Sequence, residues 1–355
     1  MSNNRNSRQF NNNPIGKPRH NVKQFETAEN QKPLPELTDE VVHQLKELPI
    51  TFQALADFFG KFGSYNPFTL RKETISRIES LTGRPLITYV SRVYNISEKA
   101  PVGIDDSDMD GFADAIYSLP SGGPLDVFII SNGGNPTASE RIVQMLRDKF
   151  SEVRFIVPSN AYSAATLICF AGDEIIMDPM ATLGPIDPQI NGTPIRTILR
   201  AFEVLEKKVA TEGPMVLATY AKLIEKYSLH DLEFCKTAEA LSKELAQTWL
   251  SKYMFKCNMD DPKIKEILEY FTSFDLHKSH GRSIDRKKAK ELKLSVTYSE
   301  DIENLAPLVR SLYNQYQFWF NVTPFYKMFE NSKGINWGRQ MQTIQVQVPM
   351  STPQN

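Results

Sequence analysis

Cysteine is scarce in this 355-residue chain: the three present, Cys169, Cys235 and Cys257, are odd in number and widely separated. Such a set offers neither a disulfide framework nor the paired-ligand spacing of a zinc site, and it fits a reducing, cytoplasmic setting. A long apolar run is also missing. Nothing approaches the roughly 20 residues that a membrane-spanning helix needs, and the first residues lack the charged-then-apolar plan of a secretory signal. No transmembrane segment is therefore expected. Net charge is missing too: 41 Lys and Arg against 42 Asp and Glu leave −1, so no overall field draws the chain to nucleic acid or to an anionic membrane. Histidine is nearly as rare, with five in all, which leaves few candidates for imidazole chemistry.

What is present suits a globular α/β protein. Hydrophobic residues make up 41% of the chain and charged residues 23%, enough apolar material for one main core with appendages. Residues 1–35, rich in Asn, Gln, Ser and Arg, carry too little apolar surface to offset ordering entropy and read as a disordered arm. Periodic apolar positions from Thr38 to Phe62 predict short helices, and "RKETISRIESLTG" predicts a helix closed by Gly83. "RPLITYVSRVY", "LDVFII", "VRFIVP" and "EIIMD" read as strands. Between the last three lie "TASERIVQMLRDKF", opening on a Thr137-x-x-Glu140 capping box, and "SAATLICFAG", a short apolar helix. That alternation implies right-handed βαβ crossovers and a parallel sheet. Beyond Gly192 the pattern turns helical. The expected divisions are an α/β core with N-terminal helices over 36–192, a helical extension that completes the site over 193–320, and a C-terminal segment and tail over 321–355. The apolar stretch from Tyr313 to Phe329 fits either an assembly surface or ordinary core.

Two turns carry chemical promise. "SNGG" places Gly133 and Gly134 directly after a buried strand, where bare backbone can approach a ligand and present N–H groups. In "SNAYSAATLICFAG", Ser163 stands at the mouth of an apolar helix, and the N–H of Ala164 would be free to bind a developing oxyanion. Each has a plainer reading, as an N-cap serine and as a simple glycine turn. Their joint placement at the carboxyl ends of neighbouring parallel strands, where α/β proteins place their sites, weighs toward function.

The ordered series "RIESLTGRPLI", "PLDVFIISNGG", "AYSAATLICFAG", "ATLGPIDPQ" and "SHGRSIDRKKAKELKL" resembles the Clp-protease/crotonase superfamily, over roughly Leu70 to Leu294. Within it, the chain is most similar to the serine dehydrogenase proteinases, a Clp-fold branch named after a target enzyme. The resemblance implies a serine peptidase with Ser163 as nucleophile, and Gly133, Gly134 and Ala164 forming the oxyanion hole. It further implies Asp187 as orienting acid and His280 as base. Asn132 stands where Clp proteases carry a proline, and "LGPIDPQ" lacks the histidine those enzymes have in that neighbourhood. A Ser, Asp, His order places the base in "SHGRSI" instead. A protein or peptide substrate, a homo-oligomer and no metal or organic cofactor are implied with it.

Alternatives remain at this level. His280 could cap or pack at the helix "DRKKAKELKL", and Asp187 between two prolines could form an Asx turn. A Ser-Lys dyad of signal-peptide-peptidase type would use Lys207 or Lys208 as a base of lowered pKa. An acyl-thioester enzyme of crotonase type, or an inactive Clp-fold binding protein or scaffold, would share the same sheet.

Overall fold

The computed structural model describes residues 34–341, apart from 98–99, 191, 257 and 259–260. The Asn-rich arm up to residue 33, Cys257 and the tail from residue 342 lie outside the described residues. Helix α1 (Pro67–Thr82) ends at Gly83 with φ 67°, a left-handed conformation that glycine adopts without a Cβ penalty. Then come β1 (Leu86–Ser91), α2 (Met109–Tyr117), β2 (Pro124–Ile130), α3 (Pro136–Lys149), β3 (Glu152–Val157), the two-residue β4 (Asn160–Ala161), α4 (Ala164–Phe170), β5 (Glu174–Met177) and β6 (Thr182–Leu183). The second half contributes α5 (Ile195–Glu212), α6 (Leu229–Trp249), α7 (Pro262–Thr272), β7 (Ile284–Asp285), α8 (Arg286–Glu291), β8 (Val296–Tyr298), α9 (Leu305–Val322), β9 (Phe325–Asn331) and β10 (Asn336–Gln340).

Seven strands form the main sheet in the order β8-β5-β3-β2-β1-β9-β10. The first five run parallel, and β9 and β10 close one side antiparallel. Apolar residues alternate across it: Ile87, Tyr89, Val127, Ile129, Phe155 and Ile175 pack on one face against α2, α3, α4, α6 and α7. Leu86, Val90, Phe128, Ile130, Ile156 and Ile176 pack on the other against α1 and α9. The strand order β1, β2, β3, β5 advances steadily with every crossover helix on one face, which is what a fixed right-handed crossover produces.

Three local readings change. The helix α3 is capped by Asn135, whose Oδ1 accepts the Thr137 N–H at 2.8 Å with Pro136 in the first turn; no Thr137–Glu140 box forms. Within the helical pattern read beyond Gly192, the chain breaks before Leu229, where Ser228 and Asp231 form a reciprocal capping box. Segments read as helical extension and tail return strands to the main sheet, β8 at one edge and β9–β10 at the other. Within Tyr313–Phe329, Tyr313, Tyr316, Phe320, Met328 and Phe329 are buried, so this stretch is largely core.

A buried ion pair ties the first helix to the returning strand. Arg71 Nε and Nη2 each donate to Glu330 at 2.7 Å, and the Tyr316 hydroxyl donates to Glu330 at 2.6 Å, with all three side chains shielded from solvent. Removing one partner leaves the other charge buried and unpaired. Glu330→Ala should therefore lose about 3–5 kcal/mol of unfolding free energy, read by urea denaturation; an unchanged midpoint would show that the pair contributes nothing to stability.

Candidate active site

A second, small sheet gathers the candidate residues. In the order β7-β6-β4, Thr182 and Leu183 pair with Asn160 and Ala161 on one side and with Asp285 and Ile284 on the other. Ser163 follows β4, Asp187 follows β6, and His280 precedes β7. Positions far apart in the sequence thus emerge at one end of the same three strands. Ser131, just past β2, bridges to Ala161 and links this sheet to the main one.

Ser163 has φ 51° and ψ −119°, a region that side-chain-bearing residues seldom occupy, and its hydroxyl makes no capping bond. Strain of this kind costs about 1–3 kcal/mol and persists only when the surroundings impose it. The sharp strand-to-helix turn has the form that lifts a serine hydroxyl clear of its own helix. Three backbone bonds hold the turn around it: Tyr162 N–H donates to Ser131 O, Ala165 N–H to Tyr162 O, and Leu167 N–H to Ser163 O. Thr166, buried one turn on, donates to Ala161 O at 2.7 Å or Gly184 O at 3.0 Å and accepts the Gly184 N–H at 3.1 Å. It therefore joins the serine turn to the loop carrying Asp187.

His280 Nδ1 lies 2.9 Å from Asp187 Oδ1. With Nδ1–H donated to the carboxylate, Nε2 is left as the proton acceptor. Asp187 is nearly fully buried, and its Oδ2 has no hydrogen-bond partner among the described residues. Ile186 N–H donates to Phe271 O at 2.9 Å, fixing the acid loop to α7. Asp285, not His280, caps α8, through a 2.8 Å bond from Lys288 N–H. The neighbouring His277 points elsewhere: its Nε2–H donates to Tyr270 O at 2.7 Å, and burial lowers its pKa.

The glycine turn meets the serine turn directly. Gly133 has φ 99°, and a Cβ there would lie 2.7 Å from the Cβ of Ser163. A Cβ on Gly134 would lie 2.2 Å from Ile104 N, because the segment at Ile104 pairs alongside: Ile104 N–H donates to Gly133 O at 2.9 Å and Asn135 N–H to Ile104 O at 2.8 Å. The Gly133 N–H is taken by Ser131 Oγ at 3.1 Å. The N–H groups of Gly134 and Ala164 have no acceptor among the described residues and flank the same cavity. Asn132 accepts from Asn160 Nδ2 at 3.2 Å and so is tied to β4.

The cavity measures about 420 Å³, and Ser163, Ala164, Gly133, Gly134 and His280 all line it. Its remaining walls are mostly apolar, with Leu167, Ile186 and Ile195 joined by Phe234, Ala238 and Ser242 from one face of α6. That α6 face went unread in the sequence, although its spacing of four was visible. Lys207 and Lys208 do not line the cavity. Lys207 is exposed, and Lys208 pairs with Glu212 at 3.1 Å, a hydrogen bond that raises its pKa, the opposite of what a lysine base requires. Cys169, on α4, is fully buried, and burial pushes its thiol up. Among the described residues there is no cluster of three His, Cys, Asp or Glu side chains able to hold a metal, and no helix long and apolar enough to cross a membrane.

Comparison with known proteins gives these features a family. The uncharacterized protein MJ1495 of Methanocaldococcus jannaschii is 33% identical over 160 residues, 43% of this chain and 53% of that protein. A second protein of that organism, the uncharacterized protein MJ0137, is 40% identical over 108 residues, 30% of this chain and 38% of that one. The chain thus spans about half or less of the length of these curated relatives. Among solved structures, the ClpP protease catalytic domain from Plasmodium falciparum aligns with 54% of this chain and 78% of its own, at 14% identity and a TM-score of 0.31. Residues 64–317 match the family described as ClpP-like SDH-type serine proteinase, and the chain belongs to that family.

Proposed function

We propose that this protein is a serine peptidase that cleaves peptide bonds through an acyl-enzyme on Ser163. The observation that carries this reading is the 2.9 Å contact between His280 Nδ1 and Asp187, beside a strained, uncapped serine lining the same cavity. Nε2 of His280 takes the Ser163 proton as Oγ attacks the substrate carbonyl. The Asp187 carboxylate holds the tautomer and stabilises the imidazolium that forms. Oxyanion charge develops toward the N–H groups of Gly134 and Ala164. Gly133 contributes by having no side chain, since its own N–H is already engaged.

His280 then returns the proton to the leaving amine, and a water activated by the same imidazole releases the acid product. This chemistry calls for no metal or organic cofactor. The apolar walls at Leu167, Ile186, Ile195 and Phe234 suit a substrate with an uncharged side chain beside the scissile bond. Exposed apolar side chains at Met215 and Leu229 support the reading of a self-associating protein, and the sparse, buried Cys169 and Cys235 agree with a cytoplasmic one.

Covalent labelling with a fluorophosphonate probe tests the nucleophile and base together. Wild type should label, Ser163→Ala should not label, His280→Ala should label far more slowly, and a Lys207→Ala/Lys208→Ala double variant should label as wild type. Loss of labelling with the lysines and retention without His280 would replace the triad by a dyad.

Steady-state turnover of a chromogenic peptide tests the acid. Asp187→Asn, which favours the wrong imidazole tautomer, should lower kcat on the order of 10⁴-fold. A loss under tenfold would remove Asp187 from the mechanism. In the same assay Gly134→Ala, which forces the turn off Ile104, should cost about 10²–10³ in kcat; wild-type kcat would show that Gly134 N–H is not an oxyanion donor.

A further inference from the structure

Beneath the glycine turn runs a line of polar side chains that the reaction itself does not use. Ser131 Oγ accepts the Gly133 N–H at 3.1 Å, and Ser131 lies on the same sheet face as Tyr89, two residues past the Tyr89 partner Ile129, where its hydroxyl bears on that of Tyr89. Tyr89 donates to Asp108 Oδ2 at 3.0 Å, and Lys327 Nζ donates to Asp108 Oδ1 at 2.7 Å. All four residues are 0% exposed. A buried Lys-Asp pair is poor evidence of stabilisation, because desolvation offsets its Coulomb energy and apolar residues of equal volume often serve better. Its place behind the glycine turn suits a geometric task.

Both supports of the glycine turn trace back to Asp108. One is the Tyr89–Ser131 line that reaches Gly133 from below. The other is the segment at Ile104, which grips Gly133 and Asn135 through two backbone bonds. Asp105, the next residue, donates its N–H to Asp108 Oδ2 at 3.1 Å, and its carboxylate lies 3.3 Å from Lys327 Nζ. Burial, together with the adjacent Asp108 carboxylate, pushes the Tyr89 hydroxyl well above its ordinary pKa, so it stays a donor across the working range.

We propose that the buried Lys327–Asp108–Tyr89–Ser131 chain positions the glycine turn so that the Gly134 N–H faces the developing oxyanion. The inference rests on the peptidase reading above. Tyr89, Ser131 and Asp108 are positioning residues, not catalytic ones, since none lines the cavity.

Tyr89→Phe removes the central hydroxyl with little change of volume, and Ser131→Ala removes the last link. A misplaced oxyanion donor should lower kcat about tenfold, part of the 10²–10³ that full loss costs, with KM within about twofold. A peptide boronate, which mimics the tetrahedral state, should weaken by the same factor as kcat. The double variant should be no worse than either single one, since both break one chain. Hydrogen exchange of the 131–135 backbone should quicken in both single variants.

Wild-type kcat in Tyr89→Phe and Ser131→Ala, or a loss confined to KM, overturns the inference. If wild type proves inert toward every peptide and probe, the peptidase reading fails, and exchange at 131–135 still decides the positioning claim. Quickened exchange supports it and unchanged exchange overturns it. Should Tyr89→Phe fail to fold by circular dichroism, Ser131→Ala carries the test alone.

Discussion

The candidate site depends on two residues, Thr182 and Leu183, having partners on both sides. They pair with Asn160 and Ala161 in parallel and with Asp285 and Ile284 antiparallel. Because strand side chains alternate, a slip of one residue on either side would turn Leu183, Ala161 and Ile284 out of the core and rotate every loop that follows. These three side chains are buried within the main apolar cluster, so register is fixed by burial as well as by hydrogen bonds. Once it is fixed, the loops bearing Ser163, Asp187 and His280 leave from the same end. Thr166 and Tyr162 add cross-links: Thr166 binds the Gly184 backbone, and the Tyr162 hydroxyl contacts Ser283 at 2.6 Å and Thr182 at 3.0 Å.

This arrangement sets costs against gains in a recognisable way. The unfavourable terms gather at the site and just behind it: a serine at positive φ, two N–H groups and one oxygen of a buried carboxylate without partners among the described residues, and, beneath the glycine turn, a buried lysine. The favourable terms lie in the sheet beneath, where five parallel strands are covered on both faces by apolar helices. Strain at a reactive turn is tolerable only over such a scaffold, because each cost of about 1–3 kcal/mol must be met by packing elsewhere. The rigid elements also explain how one elbow can hold its hydroxyl uncapped while Ala161, Tyr162 and Ser163 carbonyls are all paired.

Much of this was legible in the chain. The largely apolar runs at Leu125–Ile130 and Val153–Val157, interrupted only by Asp126 and Arg154, read as buried strands, and they set the sheet. Gly133, Gly134, Ser163 and Ala164 stood at turns whose placement followed from those strands. Asp187 and His280 came from the family resemblance alone, because β4, β6 and β7 are two residues each, too short for any periodic signal. The strands at Val296 and Phe325 were missed for another reason. The Val296 strand has its partner more than a hundred residues away, and the Phe325 strand joins the sheet beside the still more distant β1, with only its hairpin partner β10 close in sequence, so local pattern did not separate them from helix flanks. Asn135 outcompeted Thr137 as a cap because Pro136 occupies the first turn, where its missing N–H costs nothing. Ser131 and Tyr89 looked like ordinary strand residues, and only the fold shows what they touch.

The most direct test of the central claim, that Ser163, His280 and the two backbone N–H groups converge on one reacting centre, is a crystal structure of the protein reacted with a fluorophosphonate. The account predicts phosphorus bonded to Ser163 Oγ, the phosphoryl oxygen about 2.7–3.1 Å from both Gly134 N and Ala164 N, and His280 Nε2 facing Oγ with Nδ1 still on Asp187. A phosphoryl oxygen turned to solvent, or an adduct on another side chain, would contradict it.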